Sequence, residues 1–336
     1  MNRERLHQLI EGFRRRRVVV LGDLLVDEFV HGDIVRVSRE APVLILNHTR
    51  TVVVPGGGGN AVANLRALDA VPVPVGRVGR DDSGRRLLAA FRQDRIPVSG
   101  VVVDPEWDTP TKSRVLAGGI HTRRQQIVRI DRGARTREEV PPTPPGLSGR
   151  LRQALARAEG MLVADYGYGA AAPALVTRYG PGLLRKGVPV TVDSRTRSLL
   201  FSGMTACTPN QDELEQAAGV ELTEDDRAVT AAGRTVLKRT GHQAILVTRG
   251  AAGMSLLEKG RPGFRIPAYG DDEVADVTGA GDTVIAVFTL ALAAGASFRE
   301  AAVLANYAAG LVVMKAGTAT VGREELHGAV DGDTER

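Results

Sequence analysis

The amino-acid sequence predicts an α/β protein: a mostly parallel central sheet, helices on both of its faces, and a small β-sheet lid. Three observations carry this. Short apolar runs alternate with helically spaced patterns from end to end, which is the signature of βαβ units. Two segments, 31–54 and 107–130, break that rhythm with near period-2 alternation of Val, Ile, Thr and Arg, as exposed strands do. The 336 residues, 43% hydrophobic and 25% charged, can bury the core of one large domain.

Taken in order, Leu6, Ile10 and Phe13 mark an amphipathic start before a buried strand at Val18–Leu21. Gly59–Leu68 has helical spacing, Val73–Val78 reads as a strand, and Ser83–Gln93 as a helix. Beyond the proline-rich linker 141–146, helices are expected at Leu151–Ala158 and Ala172–Arg185, with strands at Met161–Ala164 and Val188–Val192. A short strand at Ala206–Thr208 precedes two helices across 211–239. The strand Ala244–Thr248 leads into a hairpin through Met254–Leu257, and two helices, 280–295 and 298–314, end the pattern. The lid segments are expected to form an antiparallel sheet inserted into one domain spanning 1–336. Such lids close over ligands.

Composition narrows the function classes. Aromatics at 4% argue against a stacking surface for single-stranded nucleic acid, and the one dense basic run, Arg14–Arg17, fits a solvated helix end. A net charge of +5 is compatible with nucleic acid, a membrane surface or an anionic small substrate. With Cys207 as the sole cysteine there is no disulfide frame and no thiolate metal site. No apolar stretch has the length of a membrane span and no secretory leader is visible, so a cytoplasmic protein with neither nucleic-acid nor membrane partners is expected.

The motifs that carry chemistry sit at strand ends and helix starts. Residues 276–283, Asp-Val-Thr-Gly-Ala-Gly-Asp-Thr, run into an apolar helix. Helix N-termini present N–H groups without internal partners and a partial positive charge, and small residues let an anion approach them. Asp282 beside such an anion can take a proton from a hydroxyl, the arrangement phosphoryl transfer needs. The same octet also reads as an ordinary helix start capped by Thr278 or Asp276. Pro55-Gly56-Gly57-Gly58-Gly59-Asn60 leaves bare backbone for a ligand, or forms a hinge. Asp23 and Asp27, near the end of the first strand, are placed for binding or for a turn. Asn210 and Glu213, three apart, share one helical face, and Asn with Glu at that spacing also fits a capping box. Gly167-Tyr168-Gly169-Ala170-Ala171-Ala172 with Asp193 beyond fits a dinucleotide fingerprint, so a nicotinamide oxidoreductase is the second reading. No Gly-Lys dipeptide occurs, which excludes a Walker A loop.

The octet resembles the second signature of the PfkB (ribokinase-like) carbohydrate kinases, and Gly57 to Asn60 resembles the first. The resemblance implies a three-layer ribokinase-like sandwich, ATP and Mg²⁺. It makes Asp282 the base, with Gly279, Ala280 and Gly281 as the anion hole. Asp23, Asp27, Gly57 and Asn60 would bind sugar, with Lys112, Arg129 and Asp165 as further candidates. Asn210 and Glu213 would organise Mg²⁺ through water, with Asn210 also toward ATP. Thr248, Gly250, Gly253, Asn306 and Lys315 would face the nucleotide. A monovalent cation such as K⁺ near the 276–281 turn and a homodimer through the lid are further implications.

Arg36-Val37-Ser38-Arg39-Glu40-Ala41-Pro42-Val43 is similar to a segment of the D-glycero-D-manno-heptose-7-phosphate kinases of ADP-heptose synthesis. Matches at 111–115, 125–131, 164–167 and 315–321 extend it, which implies the anomeric hydroxyl of that heptose phosphate as acceptor. The alternative is another sugar or sugar phosphate, such as ribose or fructose. Two departures matter: Tyr168 and Arg195 stand where that subgroup carries lysines. Arg195 or Arg197 could replace them as a phosphate ligand. Bifunctional members carry a nucleotidylyltransferase domain, for which 336 residues leave no room, so that step is expected in a separate protein.

Overall fold

The computed structural model describes residues 2–118, 125–133, 141–222, 225–270 and 275–333. The chain runs α1 (Arg3–Glu11), β1 (Arg17–Gly22), β2 (Leu24–Val37), β3 (Leu44–Gly57), α2 (Gly58–Ala67), β4 (Val71–Gly79) and α3 (Asp82–Gln93). Next come β5 (Val101–Asp104), β6 (Thr111–Gly118), β7 (Gln125–Arg132), α4 (Leu147–Leu155), β8 (Gly160–Asp165) and α5 (Pro173–Leu184). β9 (Val190–Ser194), β10 (Ala206–Cys207), α6 (Gln211–Ala218), α7 (Asp226–Thr240) and β11 (Ala244–Thr248) follow. β12 (Met254–Glu258), β13 (Phe264–Ile266), α8 (Ala280–Ala293), α9 (Phe298–Val313) and α10 (Arg323–Gly332) complete it.

Nine strands form one sheet in the order β13-β12-β11-β10-β9-β8-β1-β4-β5. All neighbours are parallel except β11 with β12 and β12 with β13. Successive side chains of a strand point to opposite faces, and β1 shows the consequence. Val18 and Val20 join the core under α1, α2, α8 and α9, while Val19 and Leu21 join the core under α4 to α7. Helix α8 is buried from Asp282 to Ala291, as a helix apolar on all sides must be. The architecture is a three-layer α/β sandwich whose parallel strands carry their C-terminal ends to one edge.

A second sheet, in the order β3-β2-β6-β7, projects from that edge. It departs from expectation in two ways. β2 pairs with β6 in parallel, so the sheet is mixed rather than antiparallel. Its strands also start earlier, at Leu24, because only Asp23 separates β1 from β2. Trp107 is no lid residue: its ring carries the Arg77 guanidinium at 3.6 Å. Far from the body the lid exposes Ile34, Val35, Val37, Leu44, Ile127, Val128 and Ile130. β5 and α10 were not expected from the sequence. Among the described residues no helix is long and apolar enough to cross a membrane.

Candidate active site

Helix α8 begins where the octet folds. Gly279 is its N-cap in the left-handed region (φ 82°), and a Cβ there would lie 2.5 Å from Asn60 Nδ2. Only glycine fits both constraints, so the cap is neither Thr278 nor Asp276. Asp276 instead accepts the N–H of Thr278 at 2.9 Å and of Gly317 at 3.2 Å, tying two loops together. A Cβ on Gly281 would meet nothing within 4 Å, so that residue faces open cleft. The Ala280 N–H reaches Val277 O at 3.3 Å.

Asp282 sits in the first turn of α8, 5% exposed, with both oxygens held. Oδ1 accepts the Tyr166 hydroxyl at 2.5 Å and Oδ2 accepts Asn60 Nδ2 at 3.1 Å. The Asn60 amide is itself oriented. Its Oδ1 accepts Asn64 Nδ2 at 3.1 Å, and Asn64 Oδ1 accepts the Thr283 hydroxyl at 3.1 Å. Burial pushes the Asp282 carboxyl up to about 6, opposed by the Tyr166 and Asn60 hydrogen bonds. A carboxylate ionised at neutral pH yet this basic is suited to accept a proton.

The cleft at Asp282, about 320 Å³, lies between the lid and the strand ends. The lid contributes Asp27, Gly57, Lys112 and Arg114. Arg114 donates to Asp27 at 2.5 Å. Lys112 lies 5.3 Å, and the Arg195 guanidinium 4.5 Å, from the centre of the Tyr166 ring. Desolvation, reinforced by Arg195, lowers the Lys112 ammonium to about 8. The body contributes Asp193, Thr208, Asn210, Glu213 and Thr248.

Asn210 and Glu213 do form the capping box of α6: Asn210 Oδ1 accepts the Glu213 N–H at 2.8 Å and Glu213 Oε2 accepts the Asn210 N–H at 2.9 Å. They also face the cleft, so the structural role leaves the second open. Burial, with Glu213 beside it, raises Asp193 well above the usual carboxylate range, and burial raises Glu213 too. Two partly desolvated carboxylates facing one cleft favour a cation. Among the described residues no three His, Cys, Asp or Glu converge as a metal cage.

Several sequence-predicted residues stand outside this cleft. Asp23 faces the loop after β8, accepting the N–H groups of Tyr166 (2.8 Å), Tyr168 (2.9 Å) and Ala170 (2.9 Å). Asp165 is gripped by Arg197 through two nitrogens and by the Ser194 hydroxyl at 2.7 Å, which also takes Arg197 out of contention as a ligand. Arg129 is exposed on β7, paired with Asp131 at 2.9 Å. Asn306 donates to Pro267 O at 3.0 Å, and Lys315 to Thr320 O at 2.8 Å and Glu325 at 2.6 Å. Gly250 and Gly253 shape a turn that borders a second hollow lined by Gln211, Asp226 and Arg265. Asn60 touches Asp282 rather than the open cleft. Conversely, Tyr166 and Asp193 were not singled out as site residues. The signal for Tyr166 was present in the Ala-Asp-Tyr-Gly match, and that for Asp193 was absorbed by the dinucleotide reading.

That reading now has a physical answer. In this loop the N–H groups of Tyr166, Tyr168 and Ala170 all donate to Asp23 and that of Gly167 donates to Asp165, which withdraws them from a pyrophosphate.

A sandwich of this topology, with a lid over a helix start that carries Asp282, is that of a ribokinase-like sugar kinase. The chain matches the pfkB family of carbohydrate kinases over residues 15–325 and belongs to it. It is 38% identical over 332 residues to the bifunctional protein HldE of Geobacter sulfurreducens, covering 98% of this chain and 66% of that protein. The HldE of Caulobacter vibrioides is also 38% identical, over 322 residues, covering 96% and 65%. The chain thus spans just under two thirds of these relatives' length. Among solved structures, Arabidopsis thaliana ribokinase complexed with ribose and ATP superimposes with a TM-score of 0.72 at 21% identity, over 94% of this chain and 99% of that one. Phosphofructokinase-2 from Escherichia coli in complex with potassium gives 0.73 at 18%, over 94% and 98%. These likenesses establish the fold. Nothing among the comparisons supports an oxidoreductase.

Proposed function

We propose that this chain transfers the γ-phosphoryl group of ATP to the anomeric hydroxyl of D-glycero-D-manno-heptose 7-phosphate, with Asp282 as general base. The observation that carries the reading is the Asp282 carboxylate, buried at a glycine-lined helix start with both oxygens held by Tyr166 and Asn60. The heptose rests on the sequence similarity of residues 36–43 and on relatives named HldE. A kinase of ribose, fructose or a related sugar remains the second reading.

In this mechanism Asp27 and the Gly57 backbone hold the acceptor from the lid side. Asp282 takes the hydroxyl proton as the oxygen attacks in line, and the α8 start, Gly279 to Gly281, receives charge that develops on the migrating group. Bound Mg²⁺ would neutralise phosphate oxygens. Asn210 and Glu213 would hold it through water, and Asp193 is well placed to join them. Thr248 borders the cleft on the nucleotide side, and the hollow beside Gly250 and Gly253 has room for the base of ATP. We assign Asp23, Asp165, Asn306 and Lys315 to building the walls rather than touching ligand. A K⁺ ion at the 276–281 turn, a single domain with an inserted lid, and a cytoplasmic enzyme complete the proposal. The exposed apolar residues of the lid favour a homodimer that buries them.

An ADP-release screen over free sugars and sugar phosphates tests the function. Turnover is expected with heptose 7-phosphate above all others. Preference for ribose or fructose would move the assignment to the second reading, and no ADP release with any sugar would end it.

A further inference from the structure

We propose that Asn64 and Thr283 are positioning residues: acting through Asn60, they hold the Asp282 carboxylate in place, an assignment that rests on the reading of Asp282 as the base. All four side chains are buried, so each polar atom needs a partner inside the protein. Asn60 and Asn64 lie one turn apart on one face of α2, and Thr283 follows Asp282 on α8. Counting donors and acceptors fixes the direction of every hydrogen bond between them. The Asn60 amide directs both its N–H groups at α8, to Gly279 O at 3.2 Å and Asp282 Oδ2 at 3.1 Å. Its Oδ1 accepts Asn64 Nδ2 at 3.1 Å, and the second Asn64 N–H reaches the Asn60 carbonyl at 3.0 Å. Asn64 Oδ1 then needs a donor, and the Thr283 hydroxyl lies 3.1 Å away. That hydroxyl has one proton and a competing acceptor, Gly279 O, at 3.3 Å. Gly279 O already accepts the backbone N–H of Thr283 at 3.1 Å besides the Asn60 amide. Both its lone pairs are taken, and the proton goes to Asn64.

The result is a one-way chain from Thr283 through Asn64 and Asn60 to Asp282. Turning the Asn60 amide over would set its Oδ1 against the Asp282 carboxylate and Gly279 O, and its Nδ2 against the Asn64 amide nitrogen. A buried polar network is rigid while every member is paired. Tyr166 holds the other carboxylate oxygen from the loop after β8, so the base is gripped from both sides. Neither Asn64 nor Thr283 lines the cleft, so they reach the chemistry through Asn60. The charged and titratable groups that face Asp282 are Tyr166, Asp27 from β2, Lys112 from β6, and Asp193 and Arg195 at the end of β9. A substitution at 64 or 283 alters none of them, so a change in the behaviour of Asp282 isolates the chain.

The test compares wild type with Asn64→Leu, Thr283→Val and Thr283→Ser in the pH profiles of kcat and kcat/KM, following ADP release. Asn64→Leu removes the donor that orients Asn60. A hydrogen bond to a charged group corresponds to about one to two pH units, and loosening the Asn60 contact should give part of that. The acid limb is expected to rise from near pH 6 by about half a unit to one unit. With it kcat falls by roughly tenfold while acceptor KM holds. Thr283→Val keeps the shape but loses the proton, and should move the limb the same way by less. Thr283→Ser keeps the hydroxyl but loses the methyl, and should rescue the limb. A threonine needed only for packing would give the reverse order. An unmoved limb in Asn64→Leu, a limb displaced as far by Thr283→Ser as by Thr283→Val, or a raised acceptor KM at unchanged kcat overturns the assignment. Should Asn64→Leu melt early, Asn64→Ser replaces it, because a helical serine hydroxyl bonds the carbonyl one turn back and not the Asn60 side chain. If no sugar is phosphorylated, the kinase reading fails, and the chain is read instead by ¹³C NMR titration of the Asp282 carboxyl, assigned by its absence in Asp282→Asn. The same order of upward shifts supports the chain, and superimposable titrations overturn it.

Discussion

Replacing Tyr166 by Phe removes one hydrogen bond from the candidate base and little else. The ring stays under Lys112 and Arg195, so the burial of Asp282 is retained. The lost contact is a hydroxyl donating to Asp282 Oδ1 at 2.5 Å, and a hydrogen bond to a charged group contributes about 1.5–3 kcal/mol. One pKa unit corresponds to about 1.4 kcal/mol, so the shift is roughly one to two units. Its sign follows from which form loses a partner. Tyr166 donates to the ionised carboxylate, so without it protonation becomes easier and the pKa rises from about 6. Asn60 still holds Oδ2 at 3.1 Å, which places the expectation near one unit. Activity needs the ionised base and is lost as pH falls through this value. The acid limb of kcat/KM should therefore move from near pH 6 to roughly pH 7. A coupled assay between pH 5 and 9 reads this directly. An acid limb that stays in place, or moves down, would refute Tyr166 as the partner of a catalytic carboxylate.

Asp282→Asn keeps the size of the side chain but removes the proton acceptor. It should lower kcat by about 10²–10⁴ with acceptor affinity near wild type, and full turnover would reject the base. Lys112, depressed to about 8, loses its charge as pH rises through that value, so an alkaline limb is expected there. Lys112→Arg stays protonated and should move that limb above pH 9 in the same profile. Asp23→Ala strands three backbone donors at about 1–3 kcal/mol each, so a denaturant melt should show a loss of about 3 kcal/mol or more, with kcat reduced because Tyr166 shifts. Unchanged stability with only a raised acceptor KM would instead make Asp23 a sugar ligand.

Most of the large sheet was legible because its signal is local. A strand buried on both faces is a short apolar run, and the helices between them carry an apolar stripe. The errors lie where locality fails. Val18–Leu21 and Leu24–Val26 read as one apolar stretch broken by Gly22-Asp23, yet β1 lies in the large sheet and β2 in the lid. Nothing local says where a chain leaves one sheet for another, nor that β2 would meet β6 in parallel across an intervening β3, α2, β4, α3 and β5. Helix α10 carries only Leu326, Ala329 and Val330 toward the core, a stripe too sparse to stand out in a polar tail.

The cleft divides the same way. The start of α8 was readable because the octet runs into an apolar helix, but its cap was not: Gly279, with φ 82°, holds the place expected of Thr278 or Asp276. Asp23 and Asp27 were not separable, since both are carboxylates just past a parallel strand. What distinguishes them is the loop after β8, which brings three N–H groups to Asp23 while β6 brings Arg114 to Asp27. That loop is also what aims the Tyr166 hydroxyl at Asp282. On the proposed mechanism Asp23 would act on the chemistry at one remove, by fixing the backbone that carries the partner of the candidate base. The two aspartates should consequently fail in different ways when removed. Loss of Asp23 should lower stability and kcat together, whereas loss of Asp27 frees Arg114 in the cleft and should raise acceptor KM first.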